Sequence, residues 1–333
     1  MEKTAYKKLT VRFDKAKNYR LLGRALQTKG GVILDWSADG VEFQLDCAGT
    51  IALTVFVSEE NPKYMARFRV IVDDEPGEAA FVRKGTHTLT YFRGIRPGVH
   101  TVRILKDSAV SGRETRLISM TVTAVPGSMQ PTKPKKKLLE VIGDSISCGY
   151  GVDGDPTSPT TSNSAVAIQT FGYRAAEALG MDYALVVKGS IGFAKKTGHK
   201  DRPKYKMEEI YAYQNRYRDA KKRYNFPRKA DLIILALGAN DGGLPPEEVE
   251  PAARSLIRYL REINGRKTPI LLMYGMMSPT IEWLDQKLGA EIPDAYVLKV
   301  PQNRFGAGHH PNVWGQDRFT EEVLAAIERY KLV

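Results

Sequence analysis

The sequence is poor in cysteine. Its 333 residues hold two, Cys47 and Cys148, too few for the disulfide framework that staples small secreted domains. Histidine is also scarce, at five residues, and no Cys/His cluster has the spacing of a zinc site. No metal and no cofactor are expected. Nothing approaches the roughly 18 uninterrupted apolar residues that would predict a membrane-spanning helix, so no membrane partner is expected. The first residues, MEKTAYKKLTVRFDKAKNYR, are polar from the start. They lack the apolar core and small-residue cleavage site of a secretory signal, and a cytoplasmic location is the expectation. Positive charge is in excess, with a formal net charge of +12. It is scattered along the chain, and its densest run is TKPKKK. No zinc-finger spacing and no RNP-type aromatic signature accompany it. A charge run of this kind is ordinarily a solvated face or a linker, so no nucleic-acid partner is expected. The sequence leaves the oligomeric state open.

The hydrophobic and charged fractions, 42% and 26%, are those of an ordinary globular protein, and the length suits two domains. From about residue 10 to 125 the chain reads as short strands: VEFQLDC, IALTVFVSE, ARFRVIVDDE, HTLTYFRGI, HTVRILKDS and LISMTVTAV. They are rich in β-branched and aromatic residues, several alternate with period two, and Gly, Pro and Asp punctuate them. That pattern predicts an all-β antiparallel sandwich or jelly roll over 1–125. The stretch 126–137, PGSMQPTKPKKK, has the composition of a linker. From 138 to 333 the rhythm changes to apolar strands alternating with helices, which predicts a parallel sheet flanked by helices on both faces. LLEVIG, DYALVVKG, DLIILALG and TPILLMYG are the strands. FGYRAAEAL, PPEEVEPAARSLIRYLREING and DRFTEEVLAAIERYKL are the helices.

In open parallel sheets of this class, ligands bind beyond the carboxyl ends of the strands. The residues found there are therefore candidates. Gly143-Asp144-Ser145 follows the first strand, Lys188-Gly189-Ser190-Ile191-Gly192 the second, and Gly238-Ala239-Asn240-Asp241 the third. AGHHPNVWG lies just ahead of the closing helix. Acyl transfer needs a hydroxyl nucleophile, a base to take its proton, and donors for the oxyanion of the tetrahedral intermediate. A serine, a histidine, an asparagine amide and glycine-turn N–H groups supply those parts. The first stretch is not the G-x-S-x-G elbow of α/β-hydrolases, because Ser147 stands where the final glycine belongs.

GDS, a glycine turn after the next strand, GAND and a C-terminal HP together resemble the four blocks of SGNH (GDSL-type) hydrolases. GDSISCGYG, HHPNVWG and the tyrosine-rich approach YAYQNRYRDAKKRYNFPRKADLIILALGAND look most like carbohydrate esterase family two. Members of that family join an N-terminal jelly roll to a flavodoxin-like SGNH-hydrolase domain. The resemblance implies Ser145 as nucleophile and, through its main-chain N–H, as an oxyanion donor. It implies Asn240 as a side-chain donor and His310 as base, with His309 the lesser alternative. It also implies a main-chain donor in the second block. The family usually shows Ser-Gly-x-Gly there, so Gly189, Ser190 and Gly192 stay open. An aspartate two or three residues before the histidine is absent, since those positions are Gly308 and Ala307. Some members of family two work with a Ser–His pair, and a backbone carbonyl could then orient the ring. Trp283, read as lying in a loop after the fourth strand, and Trp314 are candidate sugar contacts.

The activity implied is removal of O-acetyl groups from plant-type manno-, xylo- or gluco-oligosaccharides. The alternatives are an SGNH lipase or thioesterase acting on longer acyl chains and a non-catalytic carbohydrate-binding protein. The loops DGDPTSPTTSNS and TGHKDRPKYK are polar, and no long apolar lid is visible, which favours sugar over lipid.

Overall fold

A computed structural model of the chain describes residues 5–59, 62–63, 65–109, 114–159, 161–194, 205–214, 223–277 and 281–333. The chain divides into two compact units, Met1–Pro134 and Lys135–Val333.

The first unit is an antiparallel, jelly-roll-like sheet of ten strands: β1 (Lys7–Arg12), β2 (Arg20–Leu22), β3 (Leu26–Thr28), β4 (Gly31–Ile33), β5 (Gly40–Val57), β6 (Ala66–Val72), β7 (Glu75–Val82), β8 (Gly85–Lys106), β9 (Thr115–Ala124) and β10 (Gln130–Pro131). Its main path runs β3-β4-β9-β5-β8-β6-β7. Alternation sets the inner face. Along β9, Thr115, Leu117, Met120, Val122 and Ala124 are buried between partly exposed neighbours. Leu117, Met120, Val122 and Ala124 pack with Phe13, Phe43, Phe68, Tyr91 and Ile104 in one core cluster. Each large apolar side chain among them contributes about 1.5–3 kcal/mol of burial.

The structure corrects two details of the sequence reading. VEFQLDC and IALTVFVSE are halves of one strand, β5, and HTLTYFRGI and HTVRILKDS are halves of β8. The glycines between the halves are bulges and not turns: pairing of β5 with β8 slips between Cys47 and Gly49 and again on to Ile51 and Ala52. An extra residue at a bulge bends a strand without ending it. In the stretch 126–137, Gln130–Pro131 pairs with β5, and Met129 is buried in the core cluster.

The second unit is a five-stranded parallel sheet of β11 (Leu138–Gly143), β12 (Asp182–Val187), β13 (Leu232–Ala236), β14 (Ile270–Tyr274) and β15 (Ala295–Lys299). The helices are α1 (Phe171–Ala178), α2 (Met207–Tyr211), α3 (Pro246–Asn264), α4 (Glu282–Glu291) and α5 (Val313–Tyr330). Strands β13 and β14 are buried at every position, as strands covered on both faces must be. Helix α3 shows how the sequence encodes its element. Pro246 opens it, Glu247 and Glu248 sit in the first turn, and Gly265 closes it. Val249, Ala253, Leu256, Ile257 and Leu260 form its buried stripe. No helix among the described residues is long and apolar enough to cross a membrane.

The strand order is β12-β11-β13-β14-β15. In chain order this is 2-1-3-4-5, the flavodoxin-like arrangement, whose switch point lies between its first and third strands. Here those are β11 and β13. The segments that leave their carboxyl ends carry Ser145 and Asn240.

Candidate active site

Ser145 follows β11 by two residues and is half-buried. The turn holding it is closed by main-chain hydrogen bonds from Cys148 N to Asp144 O (3.1 Å) and from Tyr150 N to Ser145 O (3.1 Å). Gln316 on α5 is fully buried. It donates from Nε2 to Ile146 O (3.0 Å), while its Oε1 accepts from Phe171 N on α1 (3.0 Å). The turn that holds Ser145 is thereby tied to the two helices that pack together.

His310 lies at the end of a short turn, Ala307–His309, just before α5. Its Nε2 is 2.9 Å from Ser145 Oγ, and its Nδ1 is 3.3 Å from Gly308 O. The carbonyl can only accept, so Nδ1 carries the proton and Nε2 is free to accept from the serine hydroxyl. Burial of the ring lowers the His310 pKa, against the opposing effect of the Gly308 and Ala307 carbonyls. Exposed His309 adopts a left-handed conformation, φ 60°.

The three carboxylates nearest in sequence to these parts are all engaged elsewhere. Asp144 accepts from Ile146 N (3.0 Å) and Asn240 Nδ2 (3.2 Å), Asp241 from Phe193 N (3.0 Å) and Ala194 N (2.9 Å), and Asp317 pairs with Arg174. Main chain holds the histidine segment. Gly306 N donates to His310 O (2.8 Å), Ala307 N to Gly151 O (3.2 Å), and Gly308 N to Ser158 O (3.0 Å). Ser158 belongs to a turn closed by Asp155 Oδ1, which accepts from Thr157 N (2.8 Å) and Ser158 N (3.1 Å). Gly151, at φ +85°, lies so close that a Cβ there would sit 2.5 Å from His310 Cβ.

Asn240 follows β13. Its Nδ2 donates to Asp144 Oδ2 (3.2 Å) and to Ile191 O (3.0 Å), which joins the turns after β11, β12 and β13. In the second block, Gly192 is buried against Asp241: an added Cβ would meet both carboxylate oxygens at 2.5 Å. Close approach of that carboxylate explains the glycine. Gly189 and Ser190 form the more open end of the same turn. Trp314 stands in the first turn of α5, 75% exposed. Trp283 stands in the first turn of α4, 40% exposed, and is helical where the sequence pattern puts it in a loop. TGHKDRPKYK falls largely outside the described residues, as does the middle of the tyrosine-rich approach.

Sequence reasoning misses Tyr150. Its ring faces that of His310, with centroids 5.8 Å apart and planes at 37°. Its hydroxyl lies 3.3 Å from where a Cβ on Gly189 would be. Its place in GDSISCGYG, between two positive-φ glycines, is the one signal that could have found it.

The sequence profile of the GDSL-like Lipase/Acylhydrolase family matches residues 139–316, more than half of the chain. The chain belongs to that family. The chain is 26% identical over 173 residues to an acetylxylan esterase / glucomannan deacetylase of Cellvibrio japonicus, covering 52% of this chain and 48% of that protein. The chain thus spans about half the length of this curated relative. The structure of a family two carbohydrate esterase from Clostridium thermocellum, in complex with cellohexaose, superposes with TM-score 0.81 at 20% identity. That match covers 95% of this chain and 100% of that chain, and it speaks to the fold. A carbohydrate esterase family 2 enzyme from Corynascus thermopiles matches with TM-score 0.76 at 25% identity, over 93% and 98%. The two-unit architecture of this GDSL-family chain is therefore that of family two carbohydrate esterases.

Proposed function

We propose that this GDSL-family protein is a serine esterase that removes acetyl groups from acetylated oligosaccharides through an acetyl-enzyme. The observation that carries the reading is the 2.9 Å contact between Ser145 Oγ and His310 Nε2, in the crevice where an open α/β sheet of this order takes its ligand. In this reading His310 takes the Ser145 proton as Oγ attacks the acetyl carbonyl. It then gives that proton to the departing sugar oxygen and activates a water that releases acetate. Gly308 O holds the ring in the one tautomer that can do this, the role a carboxylate fills in a triad. Ser145 N–H and Asn240 Nδ2 donate to the oxyanion. The open Gly189–Ser190 end of the second-block turn offers the third donor, because Gly192 is pressed onto Asp241. One hydrogen of Asn240 is bonded to Ile191 O in the resting site. An oxyanion is a stronger acceptor than a carbonyl and would draw it away.

The curated relative's activity and the cellohexaose in the clostridial structure support an acetylated sugar as substrate, and exposed Trp314 offers an apolar face beside the histidine segment. Acetate release from acetylated xylo-, manno- and gluco-oligosaccharides, measured beside nitrophenyl esters of rising chain length, tests the reading. Acetyl esters should be turned over fastest. Faster turnover of octanoyl than acetyl esters would favour a lipase, and no turnover of any ester would favour a carbohydrate-binding protein.

A further inference from the structure

Two carboxylates lie behind the proposed oxyanion donors, and both are buried: Asp144 is 0% exposed and Asp241 1%. Their partners differ. Asp241 accepts main-chain N–H groups, from Phe193 and Ala194, and so fastens the turn after β13 to the turn after β12. Asp144 accepts from Ile146 N through Oδ1 and from the Asn240 side chain through Oδ2. A side-chain amide has a donor end and an acceptor end of nearly the same shape, and its surroundings decide which end points where. The Asn240 amino group points at two acceptors, Asp144 Oδ2 and Ile191 O. Ile191 O can only accept, and an ionised carboxylate can only accept.

Building on the esterase reading, we infer that Asp144 is a positioning residue. Its carboxylate holds Asn240 with the amino end toward the reacting carbonyl, so that the amide donates to the oxyanion and cannot turn its own oxygen toward it. If the amide turned over, a donor would be lost and a repelling partial charge put in its place.

Protonation of Asp144 weakens this hold, because a carboxylic acid can donate and would accept the turned-over amide. Burial first, and then the negative charge of Asp241, raise the Asp144 pKa to about 7 against the opposing bonds from Ile146 N and Asn240. Other titratable residues on the segments packed against it are Cys148, whose main-chain N–H donates to Asp144 O at 3.1 Å, His310, whose Nε2 lies 2.9 Å from Oγ of the adjacent Ser145, and Lys188 just after β12, whose main-chain N–H donates to Gly143 O at 3.0 Å. The amide should therefore be held firmly above pH 7 and loosely below it.

Asp144→Asn tests the inference, since it keeps the shape and the acceptor for Ile146 N but offers Asn240 an amino group. We expect kcat on an acetyl ester to fall by about 10²–10³-fold, the usual cost of one oxyanion donor. KM should change little, and the part of the acid limb near pH 7 should vanish. The same variant should have a higher thermal midpoint at pH 8, because a buried carboxylate charge has been removed. Higher stability with lower kcat is a pairing that a purely structural role would not produce. Wild-type kcat in Asp144→Asn would overturn the inference. A second readout does not depend on turnover. The side-chain amide ¹⁵N–¹H signals of Asn240, identified by their loss in Asn240→Ala, should shift with pH around 7 in the wild type and stay flat in Asp144→Asn. Flat signals in the wild type would also overturn it. Absence of acetate release by the wild type would sink the esterase reading alone, and the amide titration would still decide the role of Asp144.

Discussion

Asp285 lies in the first turns of α4, 1% exposed, and its Oδ2 has no hydrogen-bond partner among the described residues. A carboxyl buried in this way ionises at a cost, and burial lifts it from 3.8 to about 8. The folded pKa is raised above the unfolded one, so the folded state binds more protons than the unfolded chain between those two values. Stability associated with this group is fully present below about pH 4 and is lost as pH rises through about 8. At about 1.36 kcal/mol per pH unit, the loss between pH 5 and pH 8 is roughly 3–4 kcal/mol. Asp285→Asn removes the titration and keeps the shape. Its stability advantage over the wild type should therefore grow by that amount across this range. The other buried acids with raised pKa values, Asp39 and Asp144, both pushed to about 7, are present in both proteins and largely cancel in the difference. Urea denaturation at a series of pH values gives the number, provided that the transition of the unit containing α4 is followed separately from that of the β unit. Parallel stability profiles for wild type and Asp285→Asn, offset by a constant, would refute the reasoning.

The remaining predictions concern the site. Gly151→Ala puts a methyl 2.5 Å from His310 Cβ at a φ of +85°. Displacing the imidazole by about 1 Å should lower kcat roughly 10²-fold, and an unchanged kcat would show that the segment yields freely. With Asp144 replaced by Asn, the remaining acid limb of kcat/KM belongs to His310. Because burial lowers its pKa below the ordinary 6.5, and the base must be neutral to act, that limb should lie below pH 6.5; a limb above it would contradict the assignment. Trp314→Ala should raise KM for an oligosaccharide about 3–10-fold, equivalent to about 0.7–1.4 kcal/mol, and leave turnover of a small nitrophenyl acetate unchanged. An equal effect on both substrates would mean that the ring serves the fold and not the sugar.

Much of the site is legible in the sequence, because its parts stand where apolar strands stop. β11, β12 and β13 are nearly unbroken apolar runs, so the residues after them, Ser145, Gly189–Gly192 and Asn240, stand out from the amino-acid pattern alone. The elements that escape carry weak local signals. Helix α4 follows Ile281, which gives no side-chain cap, and buries only Leu284, Asp285 and Leu288. That stripe is too sparse to read as helical, so the pattern leaves Trp283 in a loop. β15 has five residues and a half-exposed pattern. In the β unit the glycines that punctuate β5 and β8 look like turn signals, and only the register slips of the paired strands show them as bulges. The support of the site is out of reach for a different reason. The Asp144–Asn240 bond spans 96 residues, and the clasp of Gly308 N by Ser158 O joins segments 150 residues apart. Contacts of that range leave no periodicity to read.

The account's central claim is that Ser145 and His310 act as one unit. The most direct measurement is kcat on an acetyl ester for Ser145→Ala, His310→Ala and the double variant, with folding of each checked by its thermal midpoint. Residues that work together are strongly non-additive. The prediction is a loss of several orders of magnitude in each single variant and no further loss in the double. A Ser145→Ala protein that keeps a tenth of wild-type turnover, or single losses that multiply in the double variant, would contradict it.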